Sequence, residues 1–163
     1  MSDAKHPVLT GGCQCGAIRY AITAPPERVH LCHCRACQKA VGGLFAALAP
    51  APRSGFAWTR GTPASFASPS IAHRDFCARC DTPLSFRYND ADTISVTLGS
   101  LDRPQDVPPV RHYGIEGRIA WLDDVNSLPA ETTQESVSVE RAKKYMNYQH
   151  PDQDTAPDWT PHK

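Results

Sequence analysis

The sequence predicts a mainly β domain that ends in a short polar C-terminal tail. Its 15 prolines and 10 glycines are spread along the chain, which favours short strands joined by turns over long helices. Two segments also alternate apolar and polar residues with the two-residue period of a half-buried strand. With 163 residues, the chain fits one domain that can bury a hydrophobic core without disulfides.

The predicted elements follow from these patterns in chain order. The first alternating segment places Ile18, Tyr20 and Ile22 on one face, and the second repeats this pattern later in the chain. We predict strands over 17–23, 43–50, 83–88 and 92–100, and a short helical turn over 34–41.

The composition changes at about residue 127, beyond which polar residues and prolines prevail. We therefore assign residues 8–129 to one β domain and residues 130–163 to a tail. One short helix is predicted over Val139–Tyr148, and little else in the tail is expected to be buried.

The charge balance argues against several classes of partner. Lysine plus arginine and aspartate plus glutamate each number 17, so no basic surface favours nucleic acid or anionic lipid. No apolar run approaches the roughly 20 residues of a membrane span, and the N-terminus lacks the regions of a signal peptide. We expect a cytoplasmic protein that binds neither nucleic acid nor membranes.

Seven cysteines stand in three close clusters instead of being scattered as in a secreted disulfide framework. In a reducing compartment such clusters bind metal or carry out redox chemistry, and we favour metal. The clusters are the C-x-C of Cys13 and Cys15, the C-x-C-x-x-C of Cys32, Cys34 and Cys37, and the C-x-x-C of Cys77 and Cys80.

The spacing within two clusters suits one closed tetrahedral zinc site. In an extended segment Cys13 and Cys15 face the same side, while Cys77 and Cys80 have the spacing of a zinc knuckle. Spacing alone leaves this pairing open, because 61 residues separate Cys15 from Cys77 and only 16 separate Cys15 from Cys32. Seven thiols divide most naturally into four and three, and the central cluster can converge on one ion by itself.

Five segments together resemble the glutathione-dependent formaldehyde-activating (Gfa) family, which is related in fold to centromere protein V. They are "GGCQCGAIRY", "CHCRACQK", "FCARCDTPLSFR", "TLGSLDRP" and "HYGIEGRIAWLDD", within about residues 8–129. The chain departs from the family pattern at Asp81, where a glycine commonly follows the last cysteine.

The resemblance implies a β-tent fold of several small coiled antiparallel sheets around zinc. It implies a structural zinc on Cys13, Cys15, Cys77 and Cys80, and a more weakly held catalytic zinc on Cys32, Cys34 and Cys37. The second ion would keep one position for water, a thiol or a carbonyl oxygen. The implied function is a carbon–sulfur lyase, an S-(hydroxymethyl)glutathione synthase that joins glutathione to a small aldehyde, formaldehyde.

Residues near the central cluster are candidates for supporting roles. His30 shares a face with Cys32 and is a candidate fourth ligand or proton acceptor, whereas His33 is expected to point away from the metal into solvent or behind the ligands. Candidates for pairing with glutathione carboxylates are Arg35, Lys39 and Arg74, and His112 and Tyr113 are candidates for lining the pocket. Four aromatic residues are assigned to the core, namely Phe45, Trp58, Phe86 and Trp121.

Three alternative functions stay open on the sequence. A non-enzymatic zinc module would carry a thiol or bind a protein partner. A redox protein would use Cys77 and Cys80 beside a βαβ unit, but proline and strand patterns follow them here. An iron–sulfur protein would hold a cluster on the same thiolates.

Overall fold

The structure, a computed structural model, describes residues 7–160, whose regular secondary structure is mainly β-strand. The strands are β1 (Leu9–Gly12), β2 (Arg19–Ile22), β3 (His30–Cys32), β4 (Ala46–Pro52), β5 (Phe56–Arg60), β6 (Ala64–Ala67), β7 (Ala72–Phe76), β8 (Pro83–Tyr88), β9 (Thr93–Thr97) and β10 (Arg111–Tyr113). The α-helices are α1 (Arg35–Val41), α2 (Thr133–Ser136) and α3 (Val139–Ala142).

These strands form two open sheets. The smaller has the order β1-β2-β5 and the larger the order β10-β3-β4-β9-β8-β7-β6. Neighbours pair antiparallel, as predicted, except β10 and β3, which run parallel with Tyr113 opposite Cys32. The parallel pair brings the segment after residue 110 alongside the central cysteine cluster.

The main core lies between the sheets and contains apolar residues of both alternating segments. Ile18, Tyr20 and Ile22 are buried, and so are Ile94, Val96 and Leu98 of the second alternating segment. The phenol of Tyr20 lies 2.7 Å from the hydroxyl of Ser100, which satisfies the one polar atom that this side chain buries.

The predicted strands correspond to β2, β4, β8 and β9, and the predicted helical turn corresponds to α1. Several boundaries differ, and β4, for example, covers Ala46–Pro52 where a strand over 43–50 was predicted. Residues 98–100 form a 3₁₀ turn instead of the end of a strand, and the helix expected over Val139–Tyr148 covers only Val139–Ala142. Trp121 is 55% exposed, so its assignment to the core was wrong.

The C-terminal segment packs against the domain. His150 is only 4% exposed, and its backbone N–H donates to the carbonyl of Gln14 at 2.7 Å. The guanidinium of Arg60 donates to the carbonyl and hydroxyl of Thr155. As expected, little of the tail is buried: among residues 130–160, His150 is buried and the others are half-buried or exposed. Residues 161–163 of the predicted tail lie outside the described range.

A buried arginine of the small sheet forms ion pairs with Asp102 and with the C-terminal segment. Arg19 is 3% exposed and donates to both carboxylate oxygens of Asp102, at 2.7 and 2.5 Å. The same guanidinium reaches Asp154 of the tail at 2.7 Å. Gly16 lies beneath the tail with φ +72°, and a Cβ there would come within 2.3 Å of the His150 ring, so this close approach requires glycine.

No helix in the described part of the chain combines the length and apolar character needed to cross a membrane.

Candidate metal centres and the adjoining cleft

The seven cysteines, all unpaired by disulfides, gather into two groups. Within each group the sulfurs all lie within 4.8 Å of one another. The first group is Cys13, Cys15, Cys77 and Cys80, and the second is Cys32, Cys34 and Cys37. The fold thus brings together the C-x-C and C-x-x-C pairs that the spacing alone left unjoined.

The four-cysteine group has the dimensions of a tetrahedral zinc site. The sulfur of Cys15 lies 3.6 Å from that of Cys13 and 3.9 Å from that of Cys77. Four sulfurs at the usual zinc–sulfur distance of about 2.3 Å would stand about 3.8 Å apart, far beyond a disulfide bond. The group is therefore the right size for a metal ion of zinc's radius.

Two turns, not an extended segment, present these four thiols. Cys13 and Cys15 lie in the turn between β1 and β2, and Cys77 and Cys80 in the turn between β7 and β8. The extended C-x-C segment considered in the sequence analysis is not formed, because the chain turns at these residues and the backbone N–H of Gly16 donates to the carbonyl of Cys13 at 3.0 Å. Both turns direct backbone N–H groups at sulfur, from Ile18 to Cys13 at 3.2 Å and from Arg79 to Cys77 at 3.4 Å.

The electrostatics of this group favour a bound cation. Burial raises the pKa of Cys13 to about 12, and the neighbouring thiols add to the rise. Burial also acts on Cys80, but hydrogen bonds from the Thr82 hydroxyl and backbone outweigh it and lower the pKa to about 6. Four thiols at this distance cannot all ionise unless a positive ion offsets their repulsion, and a coordinated dication deprotonates thiols.

Asp81, the departure from the family pattern, has φ +59°. Its backbone N–H donates to the carbonyl of Cys77 at 2.9 Å and closes the turn that carries Cys77 and Cys80. Glycine adopts this left-handed conformation at no steric cost, and aspartate is among the few other residues that tolerate it. The backbone geometry of the turn therefore accommodates the substitution.

The three-cysteine group is built by β3 and the start of α1. Cys32 ends β3, and its sulfur lies 3.5 Å from that of Cys34. Cys34 caps α1, because its sulfur accepts the backbone N–H of Cys37 at 3.4 Å. Burial raises the pKa of Cys32 to about 12, so this group too lacks the positive charge that three thiolates need.

Three sulfurs provide three corners of a tetrahedron and leave the fourth to a non-cysteine ligand. Within residues 7–160, no further histidine, cysteine or carboxylate joins this group at ligand distance. His30 is therefore not placed as a fourth ligand. The donor set fits a metal ion with one position open.

The two groups occupy different parts of the hydrophobic core. Cys13 and Cys77 belong to the main core, on which Cys15 and Cys80 also pack. Cys37 instead belongs to a small separate cluster with Ala46 and Leu48. Loss of the first group should therefore disturb the whole domain, whereas loss of the second should disturb only its own surroundings.

An open cleft of about 710 Å³ adjoins the three-cysteine group. Its walls are mostly apolar, with prolines and aromatic rings, and they carry the cations Arg28, Arg74 and Arg87. Arg74 reaches the metal group itself, because its Nη2 lies 3.4 Å from the sulfur of Cys37. Its guanidinium carbon also lies 4.8 Å above the centre of the Phe86 ring.

The structure places the predicted arginine and lysine candidates in different surroundings. Arg74 lines the cleft, but the exposed Arg35 pairs with Gln38 at 3.1 Å and the exposed Lys39 faces a different cavity. Arg28 and Arg87 were missed by the sequence analysis. Arg28 has φ +53°, and nothing in its local sequence signals that conformation or its place in the cleft.

The histidines behind the cluster link β3 to β10. His33 is fully buried, and its Nε2 lies 2.8 Å from Nδ1 of His112. The solvent-exposed alternative for His33 was therefore wrong, and its side chain lies outside the metal group. Burial lowers the pKa of His33, and the nearby His112 and Arg118 lower it further. Its other ring nitrogen, Nδ1, is buried without a partner in the described part of the chain.

His30 and Tyr113 lie on the cleft wall beside the cysteines. Their rings meet edge to face with centroids 4.7 Å apart. Nδ1 of His30 lies 2.8 Å from the carbonyl of Arg28 and must donate to it, which leaves Nε2 as the proton-accepting nitrogen of the neutral ring. Burial lowers the pKa of His30, and Arg111 adds to this effect.

Comparisons with known proteins bear on the fold and the family. Residues 8–116 match the family model described as "Glutathione-dependent formaldehyde-activating enzyme". A Halomonas elongata protein, provisionally named a glutathione-dependent formaldehyde-activating enzyme, is 26% identical over 128 residues, which span 71% of this chain and 80% of the relative. A crystal structure of a Rhodobacter sphaeroides protein has the same fold at a TM-score of 0.53 and 22% identity, covering 63% of this chain and 98% of that one.

Proposed function

Because the chain belongs to the glutathione-dependent formaldehyde-activating enzyme family, we propose that it is a zinc-dependent carbon–sulfur lyase acting on a small thiol adduct. The reaction is the addition of glutathione to formaldehyde or its reverse. A sulfur–carbon bond forms as the carbonyl π bond breaks, and the thiol proton ends on the carbonyl oxygen. The product is S-(hydroxymethyl)glutathione.

One observation carries the proposal: three convergent sulfurs adjoin an open cleft without a fourth amino-acid ligand in the described range. A closed structural site uses four protein ligands, whereas a catalytic site keeps a position for its substrate. Zinc bound there would supply a Lewis acid that binds a thiol and lowers the pKa of that thiol.

The surrounding side chains would compensate charge, bind a carboxylate of glutathione and accept a proton. Arg74 offsets the negative charge that three thiolates leave on a zinc centre, through its contact with Cys37. Arg28, which is exposed and lines the cleft, provides a cation for a carboxylate of glutathione. Nε2 of His30 is able to accept the thiol proton, since Nδ1 is held by the Arg28 carbonyl.

The four-cysteine group is proposed to hold the structural zinc of a β-tent domain. Its position in the main core, between the turns β1–β2 and β7–β8, supports this role. In this proposal the ion clamps two distant segments of the chain and contributes to folding, while the second ion serves the reaction.

Exchange spectroscopy by NMR tests the activity, because formaldehyde and glutathione also combine without a catalyst. We expect zinc-loaded protein to raise the exchange rate between glutathione and its hydroxymethyl adduct above the spontaneous rate. The Cys34→Ser protein should give only the spontaneous rate. Saturable glutathione binding by the unmodified protein without any acceleration would replace the lyase by a thiol-carrying zinc module.

A further inference from the structure

A second cavity, of about 560 Å³, shares a wall with the three-cysteine cleft. The residues that line both spaces are Ala36, Leu48, Arg74 and Phe86. Arg74 stands at this shared wall, since it contacts the sulfur of Cys37 and covers the Phe86 ring. The second cavity therefore begins about one side chain away from the candidate reaction centre.

The interior of this second cavity is suited to an apolar group. Its walls include Val41, Phe66, Phe76 and Pro83. Asp75, the one buried carboxylate on its lining, is already engaged by the Ser85 hydroxyl at 2.7 Å and by Arg87 at 3.2 Å. Apart from Arg74, the remaining charged residues on the lining are Lys39 and Asp81, and both are exposed to solvent.

Formaldehyde would leave such a cavity unused, because it contributes a single carbon without a substituent. A cleft of about 710 Å³ already lies within the usual size range for a complete small ligand, roughly 300–1,000 Å³. An adjoining apolar space is useful only if the carbon joined to sulfur bears a further apolar group.

We propose that this cavity is a subsite for an alkyl or aromatic group carried on the carbon that is joined to sulfur in the thiol adduct. The inference rests on the proposed function and extends its substrate class from formaldehyde to larger apolar aldehydes. The chemistry is unchanged: the thiol adds across the C=O bond of the aldehyde, a sulfur–carbon bond forms, and the proton moves to oxygen. No oxidant or reductant is involved.

Binding of stable thioethers tests the subsite without relying on turnover. Calorimetry would compare S-methyl-, S-butyl- and S-hexylglutathione with the zinc-loaded full chain. Because each buried methylene is worth about 0.8 kcal/mol, we expect the Kd to fall roughly three- to fourfold for each added methylene that enters the cavity. A Kd that is independent of chain length would overturn the subsite.

Two variants test where the alkyl chain of the ligand binds. Ala40 lines only the second cavity, so Ala40→Trp should fill it and abolish the gain from S-methyl to S-hexyl while leaving S-methylglutathione binding unchanged. The exposed Ala57 of β5 lies outside both cavities, and Ala57→Trp is the matched control that should retain the gain. Equal gains in both tryptophan variants would place the alkyl chain elsewhere and overturn the inference.

A truncation keeps the test decisive if Ala40→Trp fails to fold. Phe66 is 64% exposed and lines the second cavity, so Phe66→Ala should preserve the fold and reduce the gain per methylene. Ile71, which is 61% exposed and lines neither space, provides the control Ile71→Ala. If no glutathione compound binds at all, the proposed function falls; if all bind alike, only the apolar subsite falls.

Discussion

Nη2 of Arg74 lies 3.4 Å from the sulfur of Cys37, at the boundary between the two cavities. Outer residues that contact a metal ligand typically change metal affinity or activity by about 10- to 100-fold when they are replaced. Arg74→Met should therefore weaken zinc binding at the three-cysteine group by a factor in this range, and Arg74→Lys should restore part of it.

Competition with a chromophoric chelator would measure this zinc affinity. The control is Arg35→Met, since the exposed Arg35 pairs with Gln38 and does not reach a sulfur. Unchanged zinc affinity in Arg74→Met would remove the charge-compensating role from Arg74.

The two cysteine groups should respond differently to serine. Cys77 is 1% exposed in the main core, and Cys77→Ser should unfold the domain, because structural zinc contributes on the order of 10 kcal/mol to folding. Cys34→Ser should stay folded, because serine can replace Cys34 as the cap of α1. Thermal unfolding followed by circular dichroism would compare them, and a melted Cys34→Ser protein would contradict this division.

The left-handed backbone conformation of Asp81 allows a prediction about the stability of variants at this position. At φ +59°, Asp81→Gly should be tolerated within about 0.5 kcal/mol, whereas Asp81→Val should destabilise the domain by about 1–2 kcal/mol because a β-branched residue strains the left-handed conformation. Urea unfolding of the zinc-loaded proteins would measure both. Equal stability of the glycine and valine variants would contradict the assigned turn.

The tail should loosen in mild acid through His150. Nδ1 of His150 donates to the Pro151 carbonyl at 2.7 Å, so Nε2 accepts from Thr155 at 2.9 Å and faces Arg60. Burial lowers the pKa of His150, and Arg19 adds to the effect. Its neutral form is favoured in the folded state, so stability present above the ordinary histidine pKa of about 6.5 is lost as pH falls below that value.

Hydrogen exchange of residues 149–159 at about pH 7.5 and about pH 5.5, on either side of the ordinary histidine pKa, would measure this loosening. His150→Gln keeps a hydrogen-bonding side chain but cannot gain charge, so its protection should change less between the two conditions. This control matters because acid also protonates cysteine thiolates. An identical pH response in both proteins would assign the effect to the cysteines instead of His150.

The sequence predicted the local parts of the cysteine sites better than their assembly. The C-x-x-C spacing of Cys77 and Cys80 indicated the turn of a zinc knuckle, and the two residues do lie in one turn, where the backbone N–H of Arg79 donates to the sulfur of Cys77. That Cys13 and Cys15 join them depends on strand pairing across more than sixty residues, which spacing cannot encode. The family resemblance supplied that pairing.

Long-range contacts also explain what the sequence analysis missed. Arg19 stands in the alternating strand "AIRYAIT" on the side expected to face solvent, yet it is buried, because Asp102 and Asp154 arrive from distant segments to pair with it. His150 is likewise buried by contacts with segments that are distant in the sequence. Trp121, in contrast, lies on a 3₁₀ helix over Ala120–Ser127 that leaves it exposed, so its aromatic character alone was a poor guide to burial.

Zinc per chain, determined by elemental analysis of untagged protein purified with zinc and without chelator, tests the central claim most directly. The partition into four and three sulfurs predicts close to two equivalents in the unmodified protein and close to one in Cys34→Ser. One equivalent in both proteins would contradict it, because Cys32, Cys34 and Cys37 would then be free thiols without a reaction centre.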